Sequence, residues 1–494
     1  MKDILKKLTK DNNVIFVFIF GFAIVLFLFN ISFSDLWCDE IYTKSLVNFP
    51  VPEMFAQFKN DLHPPLYFIG LKLFTYVFGL SALSLRLFSV IGVLSSLLLG
   101  YFAGQRVFGK QGAIYFCLML LSLPMLASYS HEARMYTWAA FSITGVFIYS
   151  CLFMKSRKNR DLAFLFIFNV VAIYIHYYSL VAAFVANFIV FLYLIRTKDK
   201  KWLIHLLSLI LAVLLFLPWV SMFVVQINKV QHAFWVPAVN FNTILSCFIA
   251  PFTEIFWTTP YSISLLILIY SITVFTIYRS FTKSFSEHRI VLWLSIFIFL
   301  GTLLVIIVIS TFSQPILYSR YVMAIVTMLI VPQTILLIHI KAKWLKIVII
   351  GIILFLGIRV SISSSYYSYG PYKQTVQYIA NTYPDVHKVL HITEITALPM
   401  LEYNGNSKLS HYWLKAKMSN VDIFSGIHQY KQPGDFLQSG EIFCAVNFNN
   451  MELNKENLDL ALSESELIKV DTVTDNKVEY GNKILVYLLK YNGK

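Results

Sequence analysis

Charge is what this 494-residue sequence has least of: Asp, Glu, Lys and Arg together make up 13%, about half the share of an ordinary soluble chain. That scarcity, beside 58% hydrophobic residues, excludes a water-soluble enzyme with a normal core and a disordered chain. Cysteine is also sparse. Cys38, Cys117, Cys151, Cys247 and Cys444 show no CxxC spacing and no clustering with histidine, which excludes a disulfide framework and a zinc finger. No GxxxxGK[ST] segment occurs, so nothing implies a nucleotide cradled by a P-loop. What is abundant is aromatic and aliphatic surface: 44 Phe, 29 Tyr and 9 Trp, with a mean hydropathy of +0.67. The composition is that of a polytopic α-helical membrane protein.

Eleven apolar runs are long enough to span a hydrocarbon core of ~30 Å. They lie at about 14–33, 85–104, 112–129, 135–154, 163–179, 181–195, 204–223, 259–279, 290–312, 320–339 and 346–363. The first lacks the short core and small-residue cleavage site of a signal peptide, so it reads as a retained helix with a cytoplasmic N-terminus. Run 63–80 is ambiguous, and the distribution of Lys and Arg decides it. With 63–80 as an interfacial helix of the first external loop, 20 of the 28 basic residues up to 364 fall on the cytoplasmic side, as the positive-inside rule requires. An odd number of spans then puts the tail outside. The charge of +14 is a membrane-loop feature rather than a polyanion-binding one: residues 1–364 hold 28 Lys/Arg against 12 Asp/Glu, residues 365–494 only 12 against 14.

Two domains follow, a transmembrane domain over 1–364 and an extracytoplasmic soluble domain over 365–494, separated by the Ser/Tyr/Gly/Pro-rich SISSSYYSYGPYKQ. KQTVQYIANTY reads as a helix, HKVLHIT and EIFCAVNF as strands, the acidic stretch 452–468 as a helix and KILVYLLKY as a final strand. The tail is therefore a small α/β layer domain. Its Tyr403, His411, Tyr412 and Trp413 read as a buried aromatic cluster rather than a glycan site.

Polar side chains in a bilayer are costly, so where they gather is informative. Here they gather at the external helix ends: Asp35, Asp39 and Glu40 in SDLWCDEIY, His63 in HPPLYF, Glu132, Arg134 and Tyr136 in SHEARMY, His176 and Tyr177 in HYYS, and Gln314, Tyr318, Arg320 and Tyr321 in QPILYSRY. On a continuous helix Glu132 and Tyr136 share one face, His131 and Arg134 another. Each cluster alone has a plain reading: solvated acids, an interfacial tyrosine belt, a snorkelling arginine, a core histidine. Convergence of five on one side points to one active-site cavity at the outer leaflet. A carboxylate pair such as Asp39–Glu40 can act as a general base or hold a divalent cation, magnesium or manganese. Arg134, Arg320 and His176 can neutralise phosphate oxygens, and aromatic rings suit sugars or isoprenoid chains. Together these suit group transfer from a lipid-linked phosphate donor.

The motifs Asp39-Glu40, HPPLYF (63–68), LRLFSV (85–90), RVFGKQGA (106–113), SHEARMYTWAAF (130–141), HYYSL (176–180) and SRYVM (319–323) resemble those of the GT-C glycosyltransferases of the dolichyl-phosphate-mannose protein mannosyltransferase type. The resemblance runs over roughly residues 10–340. It implies an inverting glycosyltransferase using a polyprenyl-phosphate sugar at the periplasmic face of the plasma (inner) membrane, with a lipid, glycan or protein acceptor. By the same resemblance Asp39 is the general base, with Glu40 as its neighbour that orients the acceptor or assists with a cation. Arg134, Arg320 and His176 stabilise the leaving phosphate, and His63, Glu132, Tyr136, Tyr177 and Tyr318 line the pocket. Some relatives carry a Lys near the His63-Pro64 position.

Three rival classes fit less well, of which a receptor or adhesin leaves the charges at the helix ends unexplained. A transporter or flippase calls for ionisable groups at mid-membrane and repeat symmetry, neither of which is visible. A lipid-linked glycan ligase or polymerase calls for a basic central external loop, whereas loop 224–258 offers only Lys229 and His232, with Glu254.

Overall fold

The computed structural model describes residues 11–232, 236–253, 258–405, 407–414, 427–430, 432–448, 455–475 and 482–493; Glu254, named above, lies outside them. The contacts divide the chain into two compact units, one of residues 1–29, 62–79 and 84–365, the other of 30–61, 80–83 and 366–494. Residues 30–61, which carry the first-loop acids, thus fold with the tail.

Among the described residues the first unit consists of helices and their connecting turns, with no strand. Among the described residues eight helices are long and apolar enough to cross a membrane, and the pair Gln105–Leu121 and Pro124–Ser130, bent by 64°, makes a ninth if counted as one span. Asn12–Leu28 and Asn159–Ile175, of 17 residues each, bring the helices to the eleven expected runs. Between them run 63–80 forms the separate 13-residue helix Leu66–Phe78, too short to span. The bend has a local cause. Pro124 opens the second half of the pair, and a proline cannot continue a helix that needs its N–H. The last long helix, Lys343–Ser365, packs into that bend through Gly357, where a Cβ would stand 2.3 Å from the Ser122 carbonyl oxygen. Deep in the unit, Asn169 and Asn187 exchange amide hydrogen bonds of 3.2 and 2.7 Å, joining helices Asn159–Ile175 and Tyr177–Arg196 where lipid gives no hydrophobic drive to pack.

The second unit is an α/β layer domain. Its six-stranded sheet runs β3-β2-β1-β4-β6-β5, with β1 Lys388–His391, β2 Ser410–Leu414, β3 Ile427–Tyr430, β4 Ile442–Phe448, β5 Ser465–Val473 and β6 Ile484–Tyr491. The first four strands are mutually parallel and β6 is antiparallel to both its neighbours. Period-2 alternation sends Val389, Cys444, Val446 and Val486 to one face, against Val376 and Ile379 of helix Tyr372–Thr382. Leu390, Phe443, Ala445 and Leu489 go to the other, against Ala461 of helix Lys455–Ser463. The acidic stretch expected as one helix over 452–468 is a helix only to Ser463; from Ser465 it is β5, held by β6 with a bulge between Leu467 and Lys469. All five cysteines are free thiols.

Candidate active site

In the first unit, four of the five polar clusters meet. Their positions follow from breaks between helices. His176 interrupts two spans: its backbone is extended (φ −160°, ψ 139°), ending Asn159–Ile175 and capping Tyr177–Arg196. Its Nδ1 accepts the Tyr178 N–H at 3.1 Å, so the ring proton sits on Nε2. His176 is 4% exposed, and its Nε2 has no hydrogen-bond partner. A buried, oriented donor without an acceptor is an uncommon and costly arrangement.

Arg134 comes from a turn. Residues 131–135 join Pro124–Ser130 to Tyr136–Ser156 without being helical, so the shared helix faces expected for Glu132 with Tyr136 and His131 with Arg134 do not form. The bent pair of helices needs this turn to re-enter the bundle. The Ser89 hydroxyl, 2.6 Å from the Glu132 carbonyl and 3.3 Å from that of Arg134, pins the turn. Gly92, one helical turn on, admits the start of Tyr136–Ser156: a Cβ there would lie 2.7 Å from Thr137 Oγ1. His131 turns away, its Nε2 3.0 Å from the Phe27 carbonyl.

His63 precedes Pro64-Pro65 and the helix Leu66–Phe78. Its Nδ1 lies 3.5 Å from Arg134 Nη2; arginine can only donate, so Nδ1 accepts and His63 too carries its proton on Nε2. The His63 and His176 rings are 5.7 Å apart.

Tyr321 is the hub of the aromatic wall, at 5.0 Å from Tyr178, 5.3 Å from His176, 6.0 Å from Tyr318 and 6.3 Å from Tyr136 between ring centroids. Tyr136 in turn meets His176 at 5.9 Å and Tyr129 at 5.0 Å. Arg320 sits 5.2 Å over the Tyr318 ring, and Glu132 and Arg320 are both electrostatic neighbours of Tyr129. Tyr318, Arg320 and Tyr321 are placed by the 3-10 segment Ser319–Ile330 and the residue before it. Tyr177 points elsewhere, to Gln226 and Trp219 on helix Lys201–His232. Trp219 and Ser89 carried no sequence signal, being single aromatic or polar residues in apolar runs, and Gln226 carried none because it falls among the polar residues just past the run 204–223.

The first-loop acids belong to the second unit. Asp39 and Glu40 open the helix Cys38–Asn48. Glu40 is fully buried and its carboxylate accepts the Trp37 N–H at 3.4 Å, which is the work of a helix cap. Asp39 is only partly buried. The loop is tied to the tail by Leu36 N–H to the Tyr403 hydroxyl (2.8 Å), by Lys373 N–H to Asp35 (2.9 Å), by stacking of Trp37 on Tyr369 (4.6 Å) and by a Lys44–Glu402 ion pair. Among the described residues no three His, Cys, Asp or Glu side chains are grouped to hold a metal ion.

Comparison with known proteins adds to this geometry. The family described as Dolichyl-phosphate-mannose-protein mannosyltransferase matches residues 62–222, the stretch that carries His63, Glu132, Arg134, Tyr136, His176 and Tyr177. No curated protein sequence matches the chain. Two solved structures of ArnT from Cupriavidus metallidurans share its fold. The one bound to undecaprenyl phosphate has a TM-score of 0.60 at 12% identity, covering 95% of this chain and 97% of that one. The apo state gives 0.57 at 12% identity with the same coverage. The chain is a multi-pass membrane protein with the GT-C fold and a small C-terminal sheet domain.

Proposed function

We propose that this protein is an integral-membrane glycosyltransferase. It moves a sugar from a polyprenyl-phosphate donor to a hydroxyl of a lipid, glycan or protein at the extracytoplasmic face, with inversion at the anomeric carbon. One observation carries the reading: Arg134, His63 and the buried, unsatisfied Nε2–H of His176 stand together. A guanidinium and two imidazole N–H groups suit the charge that gathers on a departing phosphate ester. The ArnT structure that shares the fold, in complex with undecaprenyl phosphate, supports this choice of donor.

In this reading Asp39 takes the proton of the acceptor hydroxyl. The acceptor oxygen attacks the anomeric carbon, the bond from that carbon to the phosphate oxygen breaks, and the polyprenyl phosphate leaves with the electron pair. Arg134, His63 and His176 hold it, with Arg320 as a further cation, while Glu132, Tyr136 and Tyr318 border the sugar and phosphate; Tyr177, expected in the pocket, instead supports it from behind through Gln226. No step is routed through a metal. The basic loops favour an N-terminus in the cytoplasm and a tail domain outside, and the resemblance favours a plasma (inner) membrane.

The test is binding of polyprenyl phosphate to purified wild type and Arg134→Ala. A hydrogen bond to a charged group is worth about 1.5–3 kcal/mol, so affinity falls roughly 10- to 150-fold. Unchanged affinity in a folded variant refutes the phosphate assignment.

A further inference from the structure

Helix Lys201–His232 carries one stripe, Phe216, Trp219, Phe223 and Gln226, at helical spacing. Against it stand Tyr174 and Tyr177: ring centroids are 5.4 Å apart for Tyr174–Phe216 and 4.9 Å for Tyr177–Phe223. The stripe straddles Pro218, which has no N–H to give the preceding turn. In that turn the Tyr174 hydroxyl donates to the Leu215 carbonyl at 2.7 Å. The outer half of the helix is thus fastened to its neighbours on both sides of the proline.

Beyond it runs a hydrogen-bond chain in which every direction is fixed. Trp219 Nε1–H can only donate, and does so to the Tyr177 hydroxyl at 3.2 Å. Tyr177 spends its own proton on the Gln226 amide oxygen. Gln226 Nε2–H then donates to the backbone carbonyl of His63 at 3.3 Å, an oxygen that can only accept. Gln226 is 2% exposed, and a polar side chain buried without partners is costly. The bond falls on the peptide between His63 and Pro64, just ahead of helix Leu66–Phe78. The imidazole of the same residue is held at its other end by Arg134.

We propose that Gln226 is a positioning residue: by fixing the His63 peptide it aims the His63 ring beside Arg134 and His176, at the phosphate of the lipid donor. The inference rests on the proposed function and goes one residue beyond it. It predicts that Gln226 matters only through His63, and that its N–H is the part that matters.

The experiment is a double-mutant cycle on the full-length protein in detergent, with undecaprenyl phosphate as the probe and its dissociation constant as the readout. Gln226→Leu removes the chain's last two bonds at similar volume. The expected loss is about 3- to 10-fold, that of one neutral hydrogen bond. In a His63→Ala background the same substitution changes affinity less than twofold, since the ring it aims is gone. Gln226→Glu supplies a second readout. Ionised, it lacks a donor for the His63 carbonyl; protonated, it regains one. Its deficit relative to wild type therefore narrows as pH falls. Equal losses in both backgrounds, or a Glu deficit that does not change with pH, overturn the positioning role. If His63→Ala and Arg134→Ala both leave undecaprenyl phosphate affinity unchanged, the phosphate reading itself fails; if they weaken it and Gln226→Leu does not, only the role of Gln226 falls.

Discussion

His176 does two jobs at once, and one substitution separates them. Its Nδ1 caps the helix Tyr177–Arg196, while its Nε2–H is the buried donor left for a ligand. Asparagine is among the best N-caps and can take over the first role, but it has no second donor at the reach of Nε2. Alanine loses both. His176→Ala should therefore lose about 1 kcal/mol of cap energy in addition to the packing of the ring against Tyr136, Tyr178 and Tyr321. His176→Asn should keep the cap and lose only the packing. Both should lose the donor, worth about 1.5–3 kcal/mol toward a charged partner, or roughly 10- to 150-fold in affinity. Thermal unfolding of the detergent-solubilised protein reads the first difference, and titration with polyprenyl phosphate reads the second. A well-folded Asn variant that binds as tightly as wild type would refute the claim that Nε2–H faces the phosphate.

Two further predictions concern the second unit. Burial holds the His391 imidazole well below its ordinary pKa and that of His411 down to about 4; the rings are joined by a 2.8 Å hydrogen bond between β1 and β2. Both are neutral when folded but take up protons near pH 6.5 when unfolded. The stability this contributes is whole above 6.5 and is lost as pH falls toward 4, by up to ~1.4 kcal/mol per unit for each ring. Hydrogen exchange of β1 and β2 amides in the full chain, corrected for intrinsic rates, should show protection falling over that window; flat protection contradicts it. Separately, Glu40→Gln should keep near-wild-type turnover, because glutamine also serves in the cap, whereas Glu40→Ala should lose stability. A large loss of turnover in a stable Gln variant would make Glu40 catalytic.

The spans were legible because hydrocarbon leaves one option for an apolar run of about 20 residues: each of the eleven is mainly helical, though 112–129 is a bent pair and 320–339 begins as a 3-10 segment. Residues 63–80 were legible as a non-spanning helix from loop charge alone. The site was legible in outline, since His63, Arg134, His176 and Tyr318 stand where polar groups crowd the helix ends, and the structure brings them together. The turn at 131–135 was not legible, because helical spacing holds only where the helix continues and Pro124 had already bent it. Nor was Tyr321 as the hub of the wall, or Ser89 and Gln226 as supports; their significance lies in contacts 43 residues away for Ser89 and 163 away for Gln226. β5 was hidden because Glu466, Lys469 and Asp471 make an edge strand look like a solvated helix.

In the proposed reaction Asp39 is the base for glycosyl transfer. The measurement that tests it most directly compares wild type with Asp39→Asn, matched by size-exclusion profile. Each is incubated with radiolabelled polyprenyl-phosphate sugars and a native membrane-lipid extract, following transfer and donor hydrolysis. Wild type should turn over one donor, and the Asn variant should bind it but lose transfer by at least about 100-fold, the scale of general-base catalysis. Equal turnover by the two proteins, or no donor consumed by wild type together with no binding of any polyprenyl phosphate, would contradict it.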